Sequence, residues 1–261
     1  MKVTILGCGH SGGTPMIGGI GWGNCDPANP KNRRTRPSIL VETGTGHILV
    51  DTSPDLREQF LAADIRRVDT VLFTHAHADH LHGIDDLRAI NRVMKAPIEA
   101  YADAKTWDEI RERFEYTLTP LREGSKFFYK PVLVPHGIVP GETIEIGGVP
   151  VTAFEQDHGV AGTSLGYRIG DLGYTTDVVD MPEDGFGILA GIDTWLIGAL
   201  MDDPHPTHAH VAKVLSWVER VGPRQAVLTH MSNLLDYDAL AAQLPDDVVP
   251  AYDGLVLDIP S

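Results

Sequence analysis

The chain has 261 residues, 43% of them hydrophobic and 22% charged, with a formal net charge of −15. That is the composition of a globular protein with a full core, and its acidity argues against a general binder of long nucleic acid, since phosphate contacts need clustered Lys and Arg. Two cysteines, Cys8 and Cys25, make no disulfide framework, and no apolar run approaches the ~20 residues of a membrane helix.

Met1 to Leu6 reads as a strand and lacks the pattern of a signal peptide, so a cytoplasmic protein without a membrane partner is expected. Apolar runs predict further strands at 38–43, 47–51, 70–74, 150–155, 164–169, 194–199, 225–229 and 254–259. Helical spacing lies between them. "SPDLREQFLAA" opens with a Ser cap and Pro at the first helical position. "GIDDLRAINRVM", "DAKTWDEIRERF" and "THAHVAKVLSWVERVG" follow, the last stopping at Gly222-Pro223. Residues 104–142 are the most irregular and read as a lid or loop excursion. No repeat or linker divides the chain, so one domain over 1–261 with a mixed sheet architecture is expected.

The chemistry gathers at "THAHADH", residues 74–80. His75 and His77 alternate at a strand end and are expected on one face, with Asp79 and His80 just beyond. Three imidazoles and a carboxylate are a costly composition for a plain turn, and they suit zinc, iron or manganese. His158, Asp177 and His230 each stand just past the end of another predicted strand. Each alone reads equally well as a turn residue. Together with the first cluster they make a second set of ligand candidates.

The H-x-H-x-D-H spacing followed by spaced His, Asp and His resembles the metallo-β-lactamase superfamily. "GCGHSGGTP" (7–15), "NRRTRPSILV" (32–41), "DTSPDLREQ" (51–59), "YTTDV" (174–178), "HPTH" (205–208), "LTHMS" (228–232) and "PAYDG" (250–254) are similar to its PhnP branch of phosphodiesterases. The resemblance runs nearly end to end. It implies an αββα four-layer α/β sandwich and two divalent metal ions, zinc or manganese. His75, His77 and His158 would hold one ion, and Asp79, His80 and His230 the other. Asp177 and a water or hydroxide would bridge them.

It also implies a role for His208 at the leaving group. The residue is read at the N-terminal end of a helix, which disfavours an imidazolium, so an acid role needs a nearby carboxylate or the phosphate itself. His205 is read as a cap or loop residue, His210 as lying on the same helix two residues on and so on a different face, and His82 as either pocket lining or a cap. Candidate phosphate binders are Ser11, Gly12 and Gly13 in a turn beside the metals, and Arg33, Arg34 and Arg36. A solvated turn is the ordinary fate of such an arginine run.

The branch often carries a structural zinc built from several cysteines and a histidine three residues past the last active-site His. Here Cys25 is the lone cysteine of that loop and Asn233 stands in the histidine's place, so no structural zinc is expected. The expected activity is hydrolysis of small cyclic or nucleotide-type phosphodiesters. Thioester or lactam hydrolysis, a tRNase Z-like nuclease and a nucleotide-binding module are the alternatives. Whether the chain forms a homodimer is open.

Overall fold

The computed structural model describes residues 1–260. In chain order its first half holds β1 (Lys2–Gly7), β2 (Ser38–Glu42), β3 (His47–Val50), α1 (Leu56–Ala62), β4 (Thr70–Leu72), α2 (Ala78–Leu81), α3 (Leu87–Met94), β5 (Ile98–Ala102), α4 (Ala104–Phe114) and β6 (Leu133–Gly137). The second half holds β7 (Thr143–Ile146), β8 (Val149–Asp157), β9 (Thr163–Ile169), β10 (Leu172–Thr175), α5 (Glu183–Leu189), β11 (Thr194–Gly198), α6 (Val211–Val221), β12 (Gln225–Thr229), α7 (Tyr237–Ala241), β13 (Val248–Pro250) and β14 (Val256–Asp258).

The strands form two seven-stranded sheets, ordered β14-β1-β2-β3-β4-β5-β6 and β13-β12-β11-β10-β9-β8-β7. In the first, β14 to β3 pair antiparallel and β3 to β6 pair parallel. The second repeats the pattern, antiparallel from β7 to β10 and parallel from β10 to β13.

Strand alternation builds the layers. Val3, Ile5, Ile39, Val41, Ile48 and Val50 face the second sheet and pack with Val151, Leu165, Tyr167, Ile169 and Tyr174. Their neighbours Leu6, Leu40 and Leu49 face the other way. They pack under Leu56 and Phe60 of α1, Leu87 and Ile90 of α3 and Trp107 and Ile110 of α4. Phe186 of α5 and Trp217 of α6 join the core on the far side of the second sheet. This is the αββα sandwich.

Three expectations are corrected. The first helix begins at Leu56, after a turn in which Ser53 Oγ accepts from the Asp55 amide, so Ser53 and Pro54 lie ahead of it. The irregular stretch narrows to 118–132 and 138–142, because α4, a 3-10 turn at 115–117 and β6 take the rest; Asp103 caps α4 by accepting from the Thr106 amide at 2.7 Å. The last long helix starts at Val211 with His210 at its cap position, which leaves His208 in the preceding loop.

The turn after α2 docks tightly on the loop after β3. Thr52 donates its amide to His80 O at 2.7 Å and its hydroxyl to Leu81 O at 2.9 Å. Gly83 donates back to Thr52 O at 2.9 Å. A Cβ on Gly83 would stand 1.9 Å from the Ser53 carbonyl oxygen, which is backbone and cannot swing away. Gly83→Ala is therefore expected to cost about 3 kcal/mol or more, read as a lowered midpoint in chemical denaturation.

Candidate metal centre

Strands of both sheets end at one place, and ligand-type residues stand just past those ends. Asp51 follows β3, His158 follows β8, Asp177 lies two residues past β10 and His230 follows β12. Side chains converge there without the backbone having to leave its ladder. Asp51, Asp177 and His230 have φ of 62°, 52° and 55°, in the left-handed region that non-glycine residues rarely adopt. His75 and His77 lie in the loop after β4 and not on the strand itself, which ends at Leu72. Asp79 and His80 sit on α2.

Two ligand groups result. His75, His77, His158 and Asp177 bring one ligand atom each within 4.8 Å of one another, and so do Asp79, His80, Asp177 and His230. Asp177 belongs to both. These are the residues singled out in the sequence, divided as the resemblance implied. Asp177 Oδ2 lies 3.0 Å from His80 Nε2 and 3.4 Å from His230 Nδ1, while Oδ1 lies 3.5 Å from His158 Nε2 and 3.0 Å from His208 Nε2.

The donor set fits metal chemistry. Burial pushes the His75 imidazole well down and holds His230 at about 3, so both are neutral, ligand-ready rings. His75 Nε2 and His230 Nδ1 are buried with no hydrogen-bond partner. Burial would raise Asp177 and Asp79, yet the surrounding histidines hold both carboxyls below their ordinary range. His80 goes the other way: against the burial penalty, Asp177, Asp79 and Asp51 raise it well above its usual value. Such a concentration of buried carboxylate calls for cationic charge.

The second layer was not anticipated. Asp51 Oδ2 holds His80 Nδ1 at 2.6 Å and accepts from Thr74 Oγ1 at 2.8 Å, and Oδ1 accepts the Thr74 amide at 2.8 Å. The His80 ring is thereby turned so that Nε2 faces the cluster. His158 is oriented the same way by Thr207 O, 2.7 Å from Nδ1. A carboxylate behind a ligand histidine fixes its tautomer. From sequence, Asp51 was only the polar end of "HILVD".

His208 belongs to neither ligand group. Its ring stacks on His230 with centroids 4.9 Å apart and planes 11° apart, and its Nδ1 meets Thr207 Oγ1 at 2.7 Å. The carboxylate an acid role requires is present in Asp177. His205 stays local, against Thr207 Oγ1 at 3.1 Å, and the His210 side chain makes no cap bond. His82 packs on Phe114 and meets Arg113 Nη1 at 3.3 Å.

The arginines are not brought to the cluster. Arg34 is 2% exposed, and its guanidinium donates to Ser232 O at 2.9 Å, Leu235 O at 2.7 Å and Asn32 Oδ1 at 3.3 Å. Arg36 pairs with Asp55, Nη2 to Oδ1 at 2.8 Å. Arg33 is exposed and lies over Trp22, 5.7 Å from the ring centroid. In the Gly-rich turn Ser11 is exposed, and the Gly13 amide closes on His10 O at 2.8 Å. That turn does lie beside the ligands: Gly9 pairs with Met231, next to His230. A cavity of about 520 Å³ opens beside His75 and His77, lined also by Lys105, Glu109, Arg113 and Thr163.

The β-lactamase superfamily domain matches residues 47–231. The chain belongs to the metallo-β-lactamase superfamily. Members of this superfamily are hydrolases. The chain is similar to a solved diphosphatase from the PhnP family, with 32% identity, a TM-score of 0.87, and 99% of this chain and 98% of that one covered. It is 31% identical to an octanoyltransferase from Porphyromonas gingivalis over 98% of this chain, but spans only 51% of that relative's length. A ribonuclease Z from Bradyrhizobium sp. is 29% identical over 49% of this chain and 42% of its own length.

Two outcomes are expected. Asp51→Asn leaves His80 with a weaker, wrongly polarised partner and should lower metal affinity about 10- to 100-fold, measured by competition with a chelator. Arg34→Ala strands two buried carbonyls and should cost about 2–5 kcal/mol, read by calorimetric unfolding of the metal-loaded protein.

Proposed function

We propose that this chain is a dinuclear phosphodiesterase acting on small cyclic or nucleotide-type phosphodiesters. The observation that carries the reading is His208: an imidazole outside both ligand groups, held 3.0 Å from Asp177 Oδ1. Hydrolysis of a thioester or lactam has no comparable need for it. When bound, a pair of divalent ions lowers the pKa of water and stabilises charge growing on phosphoryl oxygens.

The rest is the work of the chain's own residues. His75, His77 and His158 form one ligand set and Asp79, His80 and His230 the other, with Asp177 common to both. Thr207 Oγ1 lies 2.7 Å from His208 Nδ1; with the hydroxyl as donor, the ring carries its proton on Nε2, on the side of Asp177 Oδ1, from where it would be delivered to a leaving oxygen. Thr207 thus orients two histidines, His208 through its hydroxyl and His158 through its carbonyl. Similarity to a PhnP-family diphosphatase supports phosphoryl chemistry. The 520 Å³ cavity suits a small substrate, and the net charge of −15 disfavours a long nucleic acid.

The test is hydrolysis of bis(p-nitrophenyl) phosphate by purified protein supplied with Mn²⁺ or Zn²⁺. Asp177→Ala should abolish turnover. His208→Ala should lower kcat about 10²- to 10⁴-fold with metal content unchanged by elemental analysis. No turnover with any of several divalent metals would overturn the reading. Thioester cleavage untouched by His208→Ala would replace it.

A further inference from the structure

We infer that His10 is a further substrate-binding residue, whose Nε2–H donates to a non-bridging oxygen of the phosphoryl group held beside Asp79 and His230. The inference rests on the phosphodiester reading and adds a contact to it.

His10 is fixed by backbone next to the second ligand group. Its amide donates to Met231 O at 3.2 Å, and the Met231 amide donates to Cys8 O at 2.9 Å. The His10 backbone is therefore paired with the residue next to His230. The Gly12 amide donates to His10 Nδ1 at 3.4 Å, so the neutral ring carries its proton on Nε2. That Nε2 is buried and has no hydrogen-bond partner. An unpaired buried donor is costly, and one beside a metal centre is readily explained by a ligand that completes it.

An unpaired donor calls for an oxygen-bearing acceptor. Asp79 and His208 are the charged groups that bear most on the ring; the carboxylate opposes an anion, so a phosphoryl group would be held there with cations in the centre. His10 belongs to neither ligand group, so it borders the centre without joining it. Gly12 leaves room for the ring: a Cβ there would stand 2.7 Å from Met16 Cε and 3.0 Å from His10 Cε1. His208 also borders this ligand group, stacked on His230. Two imidazoles that are not ligands therefore approach the same half of the centre. A phosphoryl group, with several oxygens to satisfy, suits two donors better than a planar carbonyl does.

Two substitutions separate this role from a structural one. In His10→Asn the side-chain oxygen still accepts from the Gly12 amide, as in an Asx turn, but the outer donor is gone. In His10→Gln the amide reaches the place of Nε2 and can donate there, but the bond to Gly12 is lost. Calorimetric titration of the metal-loaded proteins with inorganic phosphate reads the contact without turnover. KM and kcat for bis(p-nitrophenyl) phosphate read it during catalysis.

His10→Asn should weaken phosphate binding about ten-fold or more. It should raise KM in proportion, with metal content and thermal midpoint unchanged, and His10→Gln should recover most of the loss. Wild-type phosphate binding by His10→Asn would overturn the inference. So would the reverse pattern, with His10→Asn intact and His10→Gln defective, since that marks a residue that only shapes the turn. If the wild type hydrolyses no diester yet phosphate binding follows the expected order, the contact stands and the phosphodiesterase reading falls.

Discussion

Asp177 touches imidazoles from four separate segments: His80, His158, His208 and His230 lie 3.0 to 3.5 Å from its two oxygens. A carboxylate buried this deeply survives only among compensating charge and donors. The constraint propagates outward. His80 must be held by Asp51, His158 and His208 by Thr207, and Asp51 in turn by Thr74. Each holding group is itself fixed by a strand end or a short turn. A single buried acid thus dictates the orientation of side chains drawn from both sheets.

The two sheets meet this demand in the same way. Each runs antiparallel for its first four strands and parallel for the last four, sharing the central one, β3 or β10. Asp51 follows β3 and Asp177 comes two residues after β10, and both adopt a left-handed backbone. A turn of that kind redirects the chain at once and points its side chain back across the strand ends, at a conformational cost of order 1 kcal/mol or more. Both aspartates lie at the same place in their sheets and both hold the His80 ring, one at each nitrogen. The structural correspondence left no trace in the sequence, where no internal repeat is visible, because topology constrains direction and burial far more than residue identity.

Much of this was legible beforehand, for physical reasons. The ligands are rare residue types at strand ends, and the nine strands read from sequence are runs of β-branched and aromatic residues. The five overlooked strands include "LVPHG", "LGYT" and "VVP", where glycine or proline interrupts the signal. Asp51 escaped because its partner His80 lies 29 residues away and nothing local marks it. His10 was hidden in a glycine-rich turn that read as backbone chemistry. Arg34 misled in the opposite direction: inside "KNRRTR" it looks like a phosphate binder, and only tertiary packing reveals a buried cation.

Arg34 also explains how the loop after the Gly-rich turn is held with one cysteine. Its guanidinium binds the carbonyls of Ser232 and Leu235, and Cys25 Sγ lies 3.8 Å from Nη1. Asn233 contributes its amide to Gly21 O at 3.1 Å. These are the positions at which PhnP-like relatives are expected to place a structural zinc. An arginine suits this place because it is always charged and offers five donors in a planar fork, which the carbonyls accept. The clamp joins functional loops. Arg34 pairs with Thr14 through both backbone bonds, at 2.8 and 2.9 Å, four residues from His10, while Ser232 is two residues from His230. The buried cation therefore ties the His10 turn to the loop that carries a ligand histidine.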